Sequence, residues 1–218
     1  MKQILEIQVP NDYSAITLTK FLKLQKDLKV YGDDEEAKLA TLFYHLCNVE
    51  PGIMSKIDTS TFIQIKEQLL SFIARDTFDL QPFVNINGVE YGFEPNLSEI
   101  AYGAYVDISK FDELNINENW EKVMAILYRP VKKKIGKLYE IEQYTGNEPS
   151  EHWREVNMEI HFGALFFFIN LSKVLLKNTL KSLIQNQPEI PPNIKSILAA
   201  SGALINQSSL FAVENSLK

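Results

Sequence analysis

The sequence predicts a mainly helical α+β fold, a helical bundle accompanied by an N-terminal strand and a small β-hairpin or sheet. Two observations carry this prediction. Over most of the chain, apolar residues recur at helical spacing behind helix-start signals such as Asp33-Asp34 and Asp58-Thr59-Ser60. In one place, Asn87-Gly88 separates two β-prone runs. This dipeptide favours a hairpin because both central positions of a type I′ turn require positive φ.

Residues 1–78 form a predicted N-terminal region with one strand and three helices. Ser, Thr and Asp precede the helices, as N-cap residues do. The connections are short, which favours compact packing of neighbouring elements. The predicted elements are a strand at Met1–Val9, helices at Lys20–Val30 (N-cap Thr17 or Thr19) and Glu35–Cys47 (N-cap Asp33 or Asp34), a third helix that follows Asp58-Thr59-Ser60 and runs to about Ala74, and a turn at Pro51-Gly52.

Residues 79–218 form a second predicted region, a hairpin and a helical core followed by C-terminal helices. Pro130 ends one of these helices, since a proline disfavours the α conformation in the residue before it. The predicted elements are the hairpin Phe83–Phe93, helices at about Ser98–Lys110 and Asn117–Leu127, a short strand at Lys137–Glu142 that joins the hairpin, a helical region from the N-cap Ser150 to about Gln185 broken near Gly163, and a last helical region from Asn193 split at Ser201-Gly202.

The charge balance argues against one class of partner. The formal net charge of the 218 residues is −6, and nucleic-acid coating relies on Lys and Arg to neutralise phosphates. We therefore expect no specific nucleic-acid partner. The basic run Lys132-Lys133-Lys134 is interpreted as a solvated turn after Pro130. The single cysteine, Cys47, precludes an internal disulfide and lies in an apolar helical run, which indicates a buried residue.

The apolar segments do not predict a signal peptide or a membrane span. The first apolar stretch is short and lacks a small-residue cleavage site. The strongest candidate span, Ile160–Leu176, is interrupted by His161, Asn170 and Lys173, whereas a spanning helix needs about 20 mostly apolar residues. We interpret it as a helix buried within protein. Contact with a membrane is left open by the sequence.

One group of residues is a candidate metal site. A continuous helix would place His152, Glu155 and Glu159 on one face, and these side chains are possible ligands of a divalent cation. The spacing is not that of a known metalloenzyme motif, and a solvated charged face explains it better. No nucleophile elbow, phosphate-binding loop or dinucleotide fingerprint is present in the sequence. We therefore predict no catalytic residues, no metal, no cofactor and no enzymatic activity.

Aromatic residues supply the candidate functional surface instead. The sequence holds 13 Phe, 9 Tyr and 2 Trp, and tyrosines with a buried ring and a wet hydroxyl are enriched at protein interfaces. This pattern favours a multimeric structural role over an enzyme cleft. The candidate interface residues are Tyr102, Tyr105, Tyr128, Tyr139, Tyr144 and Phe211.

The second region contains four short motifs, at Tyr91–Pro95, Tyr102–Asp107, Met124–Val131 and Gly163–Phe168. Together they span about Phe83–Leu176. This set resembles proteins encoded beside tail and head–tail genes in tailed bacteriophages, in particular crAss-like phages of gut Bacteroidales. The N-terminal helices, from Ile16-Thr17-Leu18-Thr19 through Asp33-Asp34-Glu35-Glu36, resemble small phage proteins described as tail assembly chaperones.

The resemblance implies a virion structural or internal cargo protein, made in the bacterial host cytoplasm and located in the portal or tail lumen. Its implied partners are other virion proteins, such as portal, tail, ring or cargo proteins, and further copies of itself. Ejection with the genome stays an open alternative. A second hypothesis is a tail assembly chaperone that acts in morphogenesis and is absent from the mature virion.

Overall fold

The computed structural model describes residues 6–97, 100–113 and 116–167, and these residues divide into two compact units between Thr77 and Phe78. The predicted boundary lay after residue 78. The first unit is helical, whereas the second combines helices with a four-stranded sheet. The predicted fold class, mainly helical α+β, is confirmed.

Helices α1 to α4 build the first unit, and three of them begin at side-chain caps. Thr17 accepts from the backbone N–H of Lys20, Asp34 from Ala37 and Asp58 from Thr61, and each cap satisfies an N–H that has no partner within its helix. The short helix α3 replaces the predicted turn at Pro51-Gly52. The bounds are α1 Leu18–Val30, α2 Glu35–Cys47, α3 Pro51–Met54 and α4 Thr59–Ile73, with a 3-10 turn at Tyr13–Ala15.

The core of the first unit joins α2 to α4. Phe43 and Leu69 are fully buried there, Cys47 is buried as predicted, and Ile7 and Val9 pack against them. The predicted N-terminal strand is wrong for residues 6–9, which have no regular structure. The described part of this unit offers them no strand to pair with, so they contribute only side chains. Residues 1–5 of that prediction lie outside the described residues.

The second unit is organised on an antiparallel sheet with the strand order β1-β2-β3-β4. The predicted hairpin is confirmed, since β1 and β2 pair through the turn at Asn87 and Gly88, whose φ values are 51° and 85°. The predicted strand near residue 138 is also confirmed, although it pairs with β3 and not with the hairpin itself. The strands are β1 Phe83–Ile86, β2 Val89–Phe93, β3 Tyr128–Ile135 and β4 Leu138–Ile141.

Strand β3 corrects the prediction of a basic turn. Lys132, Lys133 and Lys134 lie within β3, between Pro130 and a tight turn at Gly136. The preceding helix does end before Pro130, at Leu127. Pairing of Lys133 and Lys134 with β4 overrides the local turn signal, and a register shift between Val131 and Lys133 accommodates the run.

Of the helices that the structure describes, two lie between β2 and β3 in the chain, and two more follow β4. They are α5 Tyr102–Glu113, α6 Ile116–Leu127 with a kink at Asn119, a 3-10 helix at Glu151–Glu155, and a helix through residues 158–167. Helix α5 begins at Tyr102, later than predicted, and Ser98 lies outside the described residues. The predicted break near Gly163 falls instead at Val156, between the 3-10 helix and the next helix. Predictions beyond residue 167, including the C-terminal helices, also lie outside them.

Gly163 has a packing role rather than a helix-breaking one. It is buried in the helix through residues 158–167, and a Cβ there would collide with the carbonyl oxygen of Asp79. The glycine therefore permits close approach of the helix to the chain that precedes β1. Within the described ranges, no helix is long and apolar enough to cross a membrane.

Candidate interaction surface

Tyr102, the first residue of α5, is the most exposed of the predicted interface residues that the structure describes. Tyr102 is 81% exposed. The ring of Tyr144 lies over the adjacent Gly103, with 3.3 Å between its Cε1 and the place a Cβ would occupy. Tyr105 is half-buried on the same helix. We call Tyr102, Asp107 and Tyr144, which lie on or against the first two turns of α5, the α5 tyrosine face. Tyr105 is two positions before Asp107 and therefore lies on a different side of the helix.

Hydrogen bonds fix the orientation of this face. The Tyr144 hydroxyl donates to Oδ2 of Asp107, and Lys110 Nζ lies 2.8 Å from Oδ1 of the same carboxylate. The hydrogen bonds from Lys110 and Tyr144 hold the pKa of Asp107 below its ordinary value. Burial, and then the carboxylate of Asp107, raise the pKa of Tyr144. Tyr144 is therefore a neutral donor at physiological pH, and its ring is tethered against Gly103, the residue that follows the exposed Tyr102.

Two other predicted interface residues lie inside the second unit. Tyr128 is 1% exposed, and its hydroxyl donates to the carbonyl of Gln81 over 2.8 Å. Tyr139 is half-buried and donates to the carbonyl of Phe93 over 2.6 Å. These hydroxyls satisfy backbone carbonyls, so both tyrosines join parts of one unit. Phe211 lies outside the described residues.

Arg129 and Glu94 hold the inner end of the sheet together. Arg129 is 5% exposed, and it donates from Nη1 to the carbonyl of Ile126 and from Nε to that of Glu142, each over 2.7 Å. Its Nη2 forms an ion pair with the buried carboxylate of Glu94. One guanidinium thus joins the chain after β2, the end of α6, β3 and the residue after β4.

The structure does not bring His152, Glu155 and Glu159 together as a metal site. In the part of the chain that the structure describes, no group of three or more His, Cys, Asp or Glu side chains is placed to hold a metal ion. His152 lies in the 3-10 helix and Glu159 in the next helix, with Val156 extended between them. The continuous helical face that the spacing required is therefore absent. The His152 ring instead contacts Tyr91 at a centroid distance of 5.1 Å, and burial lowers its pKa.

A buried aromatic and polar cluster around Trp153 was missed by sequence reasoning. Trp153 and His161 are both fully buried, and His161 Nε2 lies 3.0 Å from the Trp153 carbonyl. Burial lowers the pKa of His161 to about 4, so the ring is neutral and donates this bond. Glu121, only 4% exposed, pairs with Arg154 over 2.8 Å. Nothing in the local sequence distinguishes these residues from a charged helix face.

A second missed feature is the turn between β3 and β4. Ile135 and Leu138 face each other across it and are 65% and 79% exposed. Lys132, Lys133 and Lys137 around them are also exposed. We call residues 132–138 the hairpin tip. Lysine and aliphatic residues alternate on both sides of Gly136, which is typical of a hairpin, but the run of three lysines favoured a turn instead.

Comparison of the chain with protein-family models, curated proteins and solved structures found no match.

Proposed function

We propose that this protein is a multicopy structural or internal cargo protein of a tailed-bacteriophage virion, located in the portal or tail lumen. The sequence resemblance of residues 83–176 to head–tail proteins of crAss-like phages motivates the proposal. The α5 tyrosine face is the structural observation that carries it, because it provides a surface suited to contacts between packed protein copies. The partners are neighbouring virion proteins and further copies of this chain.

The chemistry of the α5 tyrosine face suits a protein partner. An exposed tyrosine offers a large apolar ring with a polar tip and few rotatable bonds, so little side-chain entropy is lost on binding. The hydrogen bond from the Tyr144 hydroxyl to Asp107 restricts the Tyr144 ring before any partner binds. Preorganisation of this kind lowers the free-energy cost of association.

A second candidate function, a tail assembly chaperone, is favoured by a feature of the first unit. Val30 and Tyr31 end α1 with 74% and 44% of their surfaces exposed, and four acidic residues, Asp33–Glu36, follow them. An apolar surface beside carboxylates is suited to a transient contact with a basic tail subunit. This function places the protein in infected cells and not in finished particles.

Quantitative mass spectrometry of gradient-purified particles and infected-cell lysate distinguishes the two functions. We expect the protein in particles at a copy number similar to that of the portal. Abundance in lysate together with absence from particles would contradict the virion role and support the chaperone.

A further inference from the structure

The hairpin tip is built as a small apolar wedge. Ile135 and Leu138 are cross-strand partners, so their side chains lie on the same face of the sheet. Gly136, with φ +61°, makes the tight turn between them. Their exposure of 65% and 79% is high for aliphatic side chains held in regular structure.

The base of the tip is ordered by contacts on the opposite face of the sheet. Lys134 Nζ lies 2.7 Å from Glu90 Oε1 and 3.5 Å from the centre of the Phe83 ring. Phe83 in turn packs against Tyr139, with ring centroids 4.6 Å apart. These contacts tie the strands that carry the wedge to β1 and β2.

The tip is positively charged in an acidic chain. Lys132, Lys133 and Lys137 form no ion pair among the described residues, whereas Lys134 is paired with Glu90. Residues 132–141 contain four lysines and one acidic residue, Glu140, which is opposite Lys133 in the register. A chain with net charge −6 thus concentrates positive charge around two of the most exposed aliphatic side chains that the structure describes.

We propose that the hairpin tip binds an anionic phospholipid surface, with Ile135 and Leu138 inserted at the headgroup–acyl boundary and Lys132, Lys133 and Lys137 on the phosphates. Lysine stems reach along apolar surface while their ammonium groups stay at the headgroups. Peripheral membrane binding combines insertion of apolar side chains with attraction of basic residues to anionic headgroups, and the tip has residues of both kinds. This lipid binding is a property of the protein outside the particle and is separate from the proposed virion role.

The size and charge of the tip favour lipid over other anionic partners. A stable protein interface buries about 800 Å² on each partner, far more than two side chains at a turn provide. A protein that makes about 6–10 phosphate contacts gains much of its nucleic-acid affinity from them, whereas the tip supplies three lysines that form no ion pair with the residues the structure describes. A lipid interface needs neither a complementary pocket nor a larger charge.

The test is co-sedimentation of the full-length protein with vesicles of phosphatidylcholine alone or mixed with phosphatidylglycerol. We expect binding to the mixed vesicles and weak binding to phosphatidylcholine. Each lysine contributes roughly fivefold near an anionic surface, so the triple variant K132Q/K133Q/K137Q should lose about 100-fold in partitioning. The variant I135S/L138S should lose binding without a change of charge.

Matched controls come from the first unit. The triple variant K23Q/K26Q/K29Q removes three exposed lysines from α1, and Ile63→Ser removes an aliphatic side chain that is 48% exposed. Both controls should bind like the unaltered protein. Equal losses in the controls and the tip variants would overturn the assignment to the tip. Retention of duplex DNA that depends on the tip lysines, without vesicle binding, would overturn the lipid proposal.

Leu138→Trp reports insertion directly. The two native tryptophans, Trp120 and Trp153, are buried, so the new indole provides the solvent-sensitive signal. We expect a blue shift with mixed vesicles and quenching by brominated acyl chains. Binding that depends on the lysines but gives no quenching would contradict insertion.

Discussion

Replacement of Arg129 by methionine should destabilise the second unit more than replacement of any surface cation. Methionine keeps most of the apolar volume but removes the guanidinium. The change leaves the carboxylate of Glu94, whose side chain is 10% exposed, without its ion-pair partner. It also removes both hydrogen bonds to the carbonyls of Ile126 and Glu142.

The magnitude follows from this burial. Removing one member of a buried ion pair costs about 3–5 kcal/mol, because the remaining charge is left uncompensated. We expect Arg129→Met to lower the free energy of unfolding by that amount. The double variant R129M/E94Q removes the orphaned charge as well, so it should be more stable than R129M alone.

The assay is guanidinium chloride unfolding followed by tryptophan fluorescence. Both tryptophans, Trp120 and Trp153, belong to the second unit, so the signal reports the unit that contains Arg129. Lys134→Met is the control, because Lys134 and Glu90 are each more than a third exposed and such pairs contribute about 0–1 kcal/mol. A loss below about 1 kcal/mol for Arg129→Met would refute the reasoning.

Three further predictions concern Gly163, His161 and Cys47. Gly163→Ala should lower the free energy of unfolding by about 1–3 kcal/mol, measured by fluorescence, since its Cβ meets the Asp79 backbone. The control Gly52→Ala adds a Cβ in open space and should not destabilise the first unit, measured by circular dichroism. A gain of stability in Gly163→Ala would contradict the close approach. The pKa of His161 is about 4 in the folded chain against an ordinary 6.5, so the unfolded chain binds the extra proton and stability falls as pH drops from 6.5 toward 4. The loss should reach about 2 kcal/mol by pH 5, and His161→Gln should remove that part of the pH dependence; an unchanged slope would refute the assignment. Burial raises the pKa of Cys47 to about 11, so iodoacetamide should label it at pH 8 at least roughly 100-fold more slowly in the native protein than in denaturant, and equal rates would contradict its burial.

Local signals in the sequence predicted the elements that depend on nearby residues. The Asn87-Gly88 turn was predicted, and the helix starts were narrowed to Asp33 or Asp34 and to Asp58-Thr59-Ser60. The hydrogen bonds and φ values involved depend on residues at most three positions away. Helix α2 has the predicted bounds for the same reason. Cys47 was placed correctly because the apolar face of that helix determines its burial.

Features that depend on distant contacts were not predicted. Lys132–Lys134 belong to a strand because β4 pairs with Lys133 and Lys134, which no local pattern reveals. Tyr128 looked like an interface residue, but its hydroxyl meets Gln81, 47 positions away. The N-terminal run had strand propensity without a partner strand in the described part of its unit. Propensity alone therefore gave the wrong result at these positions.

The α5 tyrosine face was predicted only in part. Composition identified Tyr102, Tyr105 and Tyr144 as candidates, but the bond from Tyr144 to Asp107 spans 37 positions and required the fold. The hairpin tip required both burial and register before its aliphatic pair could be placed on one face with exposed lysines near it in the chain.

The central claim, a virion protein that is incorporated through the α5 tyrosine face, is tested most directly by the ratio of protein in purified particles to protein in lysate. The measurement compares the unaltered chain with Tyr102→Glu and with Tyr44→Glu, a control at a tyrosine that is 41% exposed on α2. We predict that the unaltered chain and the control enter particles, whereas Tyr102→Glu stays in the lysate. Exclusion of the unaltered chain from particles, or full incorporation of Tyr102→Glu, would contradict the account.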